Sequence, residues 1–162
     1  MHSRIFQLST RRIPEEDWIN ENSFDFETYG RFGIDYVSVL VDRENSLDWL
    51  KDVLPEKMFK VEGDKITILN DGSCLFEGYK NDLMEMVNKL TFVGDVQNSF
   101  LGIGAFKIEH RAKKIINTDF LFSIEDWTEL DTPNDLVGYC YDTFHSDKPK
   151  ILYVNGILNY HY

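Results

Sequence analysis

"KILYVNGILNYHY", residues 150–162, is the stretch on which the fold turns. Two runs rich in aliphatic and aromatic residues flank Asn155-Gly156. Such a pair between two β-rich runs signals a two-residue hairpin turn, because both central positions of that turn need positive φ. The expectation is a terminal hairpin, apolar enough to be pinned into a main sheet.

Working outward, "SRIFQLST" (residues 3–10) reads as a first strand around Ile5, Phe6 and Leu8. In "FKVEGDKITIL" (residues 59–69), Phe59 and Val61 alternate with Lys60 and Glu62, and Ile66 and Ile68 flank Thr67. Gly63-Asp64 between them predicts a hairpin. "GIDYVSVLV" (residues 33–41) and "IINTDFLFS" (residues 115–123) supply two more strands, the second of them buried. Between the first two strand candidates, the polar, aromatic-studded segment after Pro14 reads as a long loop or a short helix.

Helical spacing marks three further segments. Ser46 is placed to cap a helix bearing Leu47, Leu50, Val53 and Leu54, which Pro55 stops. In "GYKNDLMEMVNKLTF" (residues 78–92), Tyr79, Leu83, Met86, Val87 and Leu90 share one face and predict a core-facing helix, with Met84 and Met86 as apolar filler. Thr132-Pro133-Asn134-Asp135 combines a cap, a proline at the first helical position and an acid in the first turn. It opens a helix whose apolar face holds Leu136, Val137, Cys140, Tyr141 and Phe144. "QNSFLGIGAFKIEHRAKK" (residues 97–114) fits strand or helix, and Gly102-x-Gly104 lacks the third glycine of a dinucleotide fingerprint. The sum is one α+β domain over residues 1–162: a mainly antiparallel sheet built from hairpins, with two to four helices packed on it.

Composition narrows the function. A chain of 162 residues with 43% hydrophobic and 14% aromatic content buries a real core. The net charge of −11 is the wrong sign for a protein that neutralises phosphates, so direct nucleic-acid binding is not expected. No run approaches the ~20 apolar residues of a membrane span, nor the length of an export signal. Two cysteines without such a signal point to reduced thiols and a cytoplasmic protein.

The chemistry is sparse. Cys140 sits mid-stripe on the apolar face of its helix, whereas His145, five residues on, is turned ~140° away. The pair therefore does not read as a nucleophile and its base. Cys74, after the "NDG" turn, is the other thiol to weigh. Cys74, His110, Cys140 and His145 lack the close pairing of a zinc site, and "NDGSC" lacks the alternating acids of a calcium loop. No metal or cofactor is expected. The strongest asymmetry is electrostatic. Between residues 115 and 147 there is no lysine or arginine, while Asp119, Glu125, Asp126, Glu129, Asp131, Asp135, Asp142 and Asp147 supply eight negative charges. Lys107, Arg111, Lys113 and Lys114 precede them.

The leading expectation is a non-enzymatic accessory protein whose acidic segment, with Trp127 as an aromatic anchor, binds a basic protein partner. An inhibitor of a nucleic-acid enzyme is one version. The alternatives are a small enzyme using Cys74 or Cys140, and a small-ligand binder with an aromatic-lined pocket.

Overall fold

The structure, a computed structural model, describes residues 2–90, 103–116, 118–125 and 129–162. The strands are β1 (His2–Ser9), β2 (Tyr36–Ser38), β3 (Phe59–Glu62), β4 (Lys65–Ile68), β5 (Leu121–Ile124) and β6 (Ile151–His161). The α-helices among the described residues are α1 (Phe26–Arg31), α2 (Arg43–Val53), α3 (Ser73–Asn88), α4 (Ile103–Ala112) and α5 (Pro133–Phe144), with a 3-10 turn at Glu15–Asp17. The sheet runs β3-β4-β6-β1-β5, and β2 also pairs with β6. It is mixed but mostly antiparallel, since β1 and β5 alone among the described pairings run parallel.

The expected terminal hairpin does not form. Residues 151–161 are a single strand of 11 residues, and both halves pair with β1. Phe6 faces Ile157 and Leu8 faces Val154, so Gln7 alone opposes Asn155 and Gly156. The Asn-Gly pair is thus a β-bulge. The bulge switches which side of β6 faces which layer. Leu152 and Val154 before it, and Ile157 after it, point into one core with Phe6, Phe122, Leu50 and Leu136. Leu158 and Tyr160 point into a second core with Ile5, Ile19, Phe24 and Ile34. A strand buried on both faces reads as a nearly continuous apolar run, and that run imitated two strands separated by a turn.

Side chains hold the bulge in place of ladder bonds. Buried Gln7 accepts through Oε1 from the backbone N–H groups of Gly156 (3.0 Å) and Ile19 (3.1 Å), and donates to the Asp17 carbonyl (3.2 Å). Asn155 donates to Ser9 Oγ at 2.8 Å and accepts from the Ile13 N–H at 3.1 Å. On the other edge of β6, β4 covers residues 151–153 and β2 covers 159–161. Arg43 fills the gap, donating to the carbonyls of Val154 (2.7 Å) and Asn155 while its guanidinium lies over Trp18. Buried carbonyls need such partners, or they cost about 1–3 kcal/mol each.

The β3–β4 hairpin forms in the expected register, with Glu62 opposite Lys65 and Gly63 at φ 59°. Two helices differ from expectation at their starts. Asp42, not Ser46, caps α2, accepting from the Asn45 N–H at 3.0 Å. Ser46 lies inside the helix, where its hydroxyl accepts from Arg4 and donates to the Asp42 carbonyl. Helix α3 begins at Ser73, five residues before the predicted span, and none of its residues is buried. Val87 and Leu90 of the face predicted to meet the core are exposed, and the helix lies against α4. Tyr79 donates to the Ala112 carbonyl at 2.8 Å, and Arg111 pairs with Asp82 while lying over the Tyr79 ring. The ambiguous segment 97–114 resolves as helix from residue 103; Gly102 is outside the described residues.

Candidate functional site

Helix α5 organises the region that the sequence singled out. The Asp135 carboxylate accepts from both the N–H (2.9 Å) and the hydroxyl (2.6 Å) of Thr132, closing the first turn. The helix then buries Leu136, Cys140 and Thr143 against the sheet. Cys140 has no exposed surface, and burial pushes its thiol up to about 12. Such a thiol packs as a small hydrophobe and does not ionise near neutral pH. His145 stacks on the Tyr141 ring at 4.2 Å and makes a 2.8 Å contact from Nδ1 to the Tyr141 carbonyl. Its partner is the tyrosine, not the cysteine. Cys74 is exposed in the first turn of α3, with Sγ 3.2 Å from Asn70 Oδ1. Among the described residues, no three His, Cys, Asp or Glu side chains are grouped to hold a metal ion.

The acidic residues fall into three settings. Asp119, Glu125 and Asp135 are engaged within the fold: Asp119 pairs with Lys114, Glu125 accepts from the Thr10 N–H at 2.6 Å, and Asp135 caps α5. Glu129 and Asp131 cluster with Asp135 at the start of α5. There, desolvation first, then the charges of Asp135 and Glu129, raise the Asp131 pKa above its usual value. Exposed Asp142 lies two turns further along the helix, ~10 Å from Asp135 at 1.5 Å per residue, and exposed Asp147 lies just past the helix end. Asp126 and Trp127 lie outside the described residues.

Along α5 from Asn134 in its first turn to Tyr141 runs an open groove of about 650 Å3 between α3 and α5. Phe76 and Tyr141, 57% and 55% exposed, stand in it with Val137 and Ile115. Its charged lining consists of Asp71 and Glu77, with no lysine or arginine among the described residues. The sequence builds this shape locally. Gly72 takes φ 91°, and a Cβ there would lie 2.7 Å from Val137 Cγ1, so glycine lets α3 start hard against α5. Asn70 fixes the turn by accepting from the Gly72 N–H and donating to the Lys57 carbonyl. Hydrogen bonds from Ser73 hold the Asp71 carboxyl below its ordinary pKa, so it stays ionised.

The groove residues of α3 escaped the sequence reading because its helix was begun at residue 78. Phe76 precedes Tyr79 by three and Leu83 by seven, so the apolar stripe itself extends one turn back to it. The larger hollow of about 760 Å3 beside α2 and β3 is lined by charges of both signs, including the Lys60–Glu62 ion pair, and selects no partner charge. No helix among the described residues is long and apolar enough to cross a membrane. Compared with known proteins, the chain matches no family model, no curated protein and no solved structure.

Proposed function

We propose that the protein is a non-enzymatic interaction protein whose α3–α5 groove receives an apolar-anchored, basic segment of a protein partner. One observation carries the reading: two exposed aromatic rings share a groove whose described charged lining is wholly acidic. Exposed aromatics in a concave site are the usual anchors of an interface, and a single-sign rim selects the opposite charge. His145 braces Tyr141 by stacking, which reduces the freedom that side chain loses on binding. Asp142 and Asp147 extend the negative potential at that end of α5, and the net charge of −11 steers a cationic partner toward the molecule. The basic tract of a nucleic-acid-binding protein has the required chemistry. Two free thiols suit a reducing compartment, and we place the protein in the cytoplasm.

Display selection from a random peptide library against the folded protein tests this. The expected winners carry an aromatic or aliphatic anchor beside lysine or arginine, and lose binding to Phe76→Ala and Tyr141→Ala. Neutral or acidic winners, or winners indifferent to both substitutions, would overturn the reading.

A further inference from the structure

We propose a second site: a cavity at the C-terminal end of β6, sharing Asn134 with the α3–α5 groove, that binds one small, uncharged, bicyclic aromatic molecule. The cavity has a volume of about 240 Å3 and is walled by Phe32, Ile116, Phe120, Leu121, Tyr160 and Tyr162. Ile116, Phe120, Leu121 and Tyr160 are themselves buried, so the walls are fixed by the core around them. An apolar cavity of about 150 Å3 takes up benzene; the volume here is larger by roughly one further fused ring.

Charge at the rim sets the class of ligand. Lys114 is paired with Asp119, and Lys113 reaches Glu109 at 2.7 Å. Asn134 is likewise committed, accepting from the Ile115 N–H at 2.8 Å and donating to the Lys113 carbonyl. A charged ligand entering this cavity would lose its hydration to rim groups that already have partners, and burying an unpaired charge is costly. An uncharged ring system loses little and gains contact with four aromatic walls. Burial raises the Tyr160 phenol to about 12, so it remains neutral beside the ligand.

Indole, an uncharged bicycle, is the probe, with benzoate and tryptamine as anionic and cationic comparators. Methyl resonances report the location: Ile116 and Leu121 line the cavity, whereas Val137 lines the α3–α5 groove. The expected result is a saturable shift of Ile116 and Leu121 on adding indole, with Val137 unmoved and both comparators at least about tenfold weaker. Thr118→Trp, at a half-buried lining position, fills the space and should weaken indole by about tenfold or more at unchanged melting temperature. Tyr162→Ala, which removes one aromatic wall from the chain end, weakens indole too and serves if Thr118→Trp does not fold. Absence of a saturable shift, shifts at Val137 instead, equal binding of a charged comparator, or full affinity in the folded variants would each overturn the proposal. None of these outcomes tests the charge selection proposed for the α3–α5 groove, so the two proposals fail separately.

Discussion

Replacing Gly156 with alanine separates the bulge from the hairpin turn that the Asn-Gly pair suggests. A Cβ at this position would stand 2.8 Å from Gln7 Oε1, 2.8 Å from Ile19 Cγ1 and 2.9 Å from the Ile19 backbone nitrogen. Two of the three obstacles cannot rotate away cheaply, because Ile19 N–H and Gln7 are tied to each other by a buried hydrogen bond. Overpacking of this kind costs about 1–3 kcal/mol. Displacing Gln7 also loosens its bonds to two buried N–H groups, and a buried donor left unmade costs about 1–3 kcal/mol. The expected total is about 2–6 kcal/mol, against the ~1–2 kcal/mol of forcing alanine into a left-handed conformation. Gly63 provides that second case, with φ 59° and nothing near its Cβ position. Urea and thermal unfolding of Gly156→Ala and Gly63→Ala should place the first clearly below the second. For a chain of this size about 2–4 °C of melting temperature is lost per kcal/mol, so Gly156→Ala should fall by about 4–24 °C. A Gly156→Ala variant no less stable than Gly63→Ala would refute the bulge.

Two other predictions rest on how far particular side chains are buried. A thiol reagent should label Cys74 rapidly in the native protein and reach Cys140 only on unfolding, since one is exposed and the other has no accessible surface; equal native rates would contradict that packing. Asp131→Asn should raise the melting temperature at neutral pH. The raised folded pKa means the folded state holds that proton more tightly than the unfolded one, so the ionised carboxyl costs stability above the folded value. The advantage of the variant should shrink as pH falls through that value toward 3.8, and a gap that widens on acidification would contradict the sign.

Elements whose pattern is local were legible in the sequence. The alternation around Gly63-Asp64 gave the β3–β4 hairpin, and Thr132-Pro133 gave the start of α5 and the burial of Cys140. Legibility failed where distant contacts decide. Asn155-Gly156 has the chemistry of a turn, but Gln7, Ile13, Ile19 and Arg43, all far away in sequence, convert it into a bulge in the central strand. The stripe on α3 has helical period, yet period alone does not say how much of it is buried, and none of its residues is. The acidic segment was visible as composition. Its division between the two ends of α5 depends on the cap at Asp135 and the pairing of Asp119 with Lys114. The groove itself joins residues 71–77 to residues 134–141, a juxtaposition made only by the fold.

If the α3–α5 groove selects basic segments, reversing its charge should reverse its preference. Calorimetric titration of a selected lysine-bearing peptide should be compared between the natural protein, Glu77→Lys, and Asp71→Asn, which keeps an oxygen to accept from Ser73. Glu77→Lys should lose at least about tenfold in affinity, and Asp71→Asn less. A glutamate-for-lysine version of the peptide should prefer the Glu77→Lys protein. Affinity unchanged by the reversal, at any salt concentration, would contradict that selection.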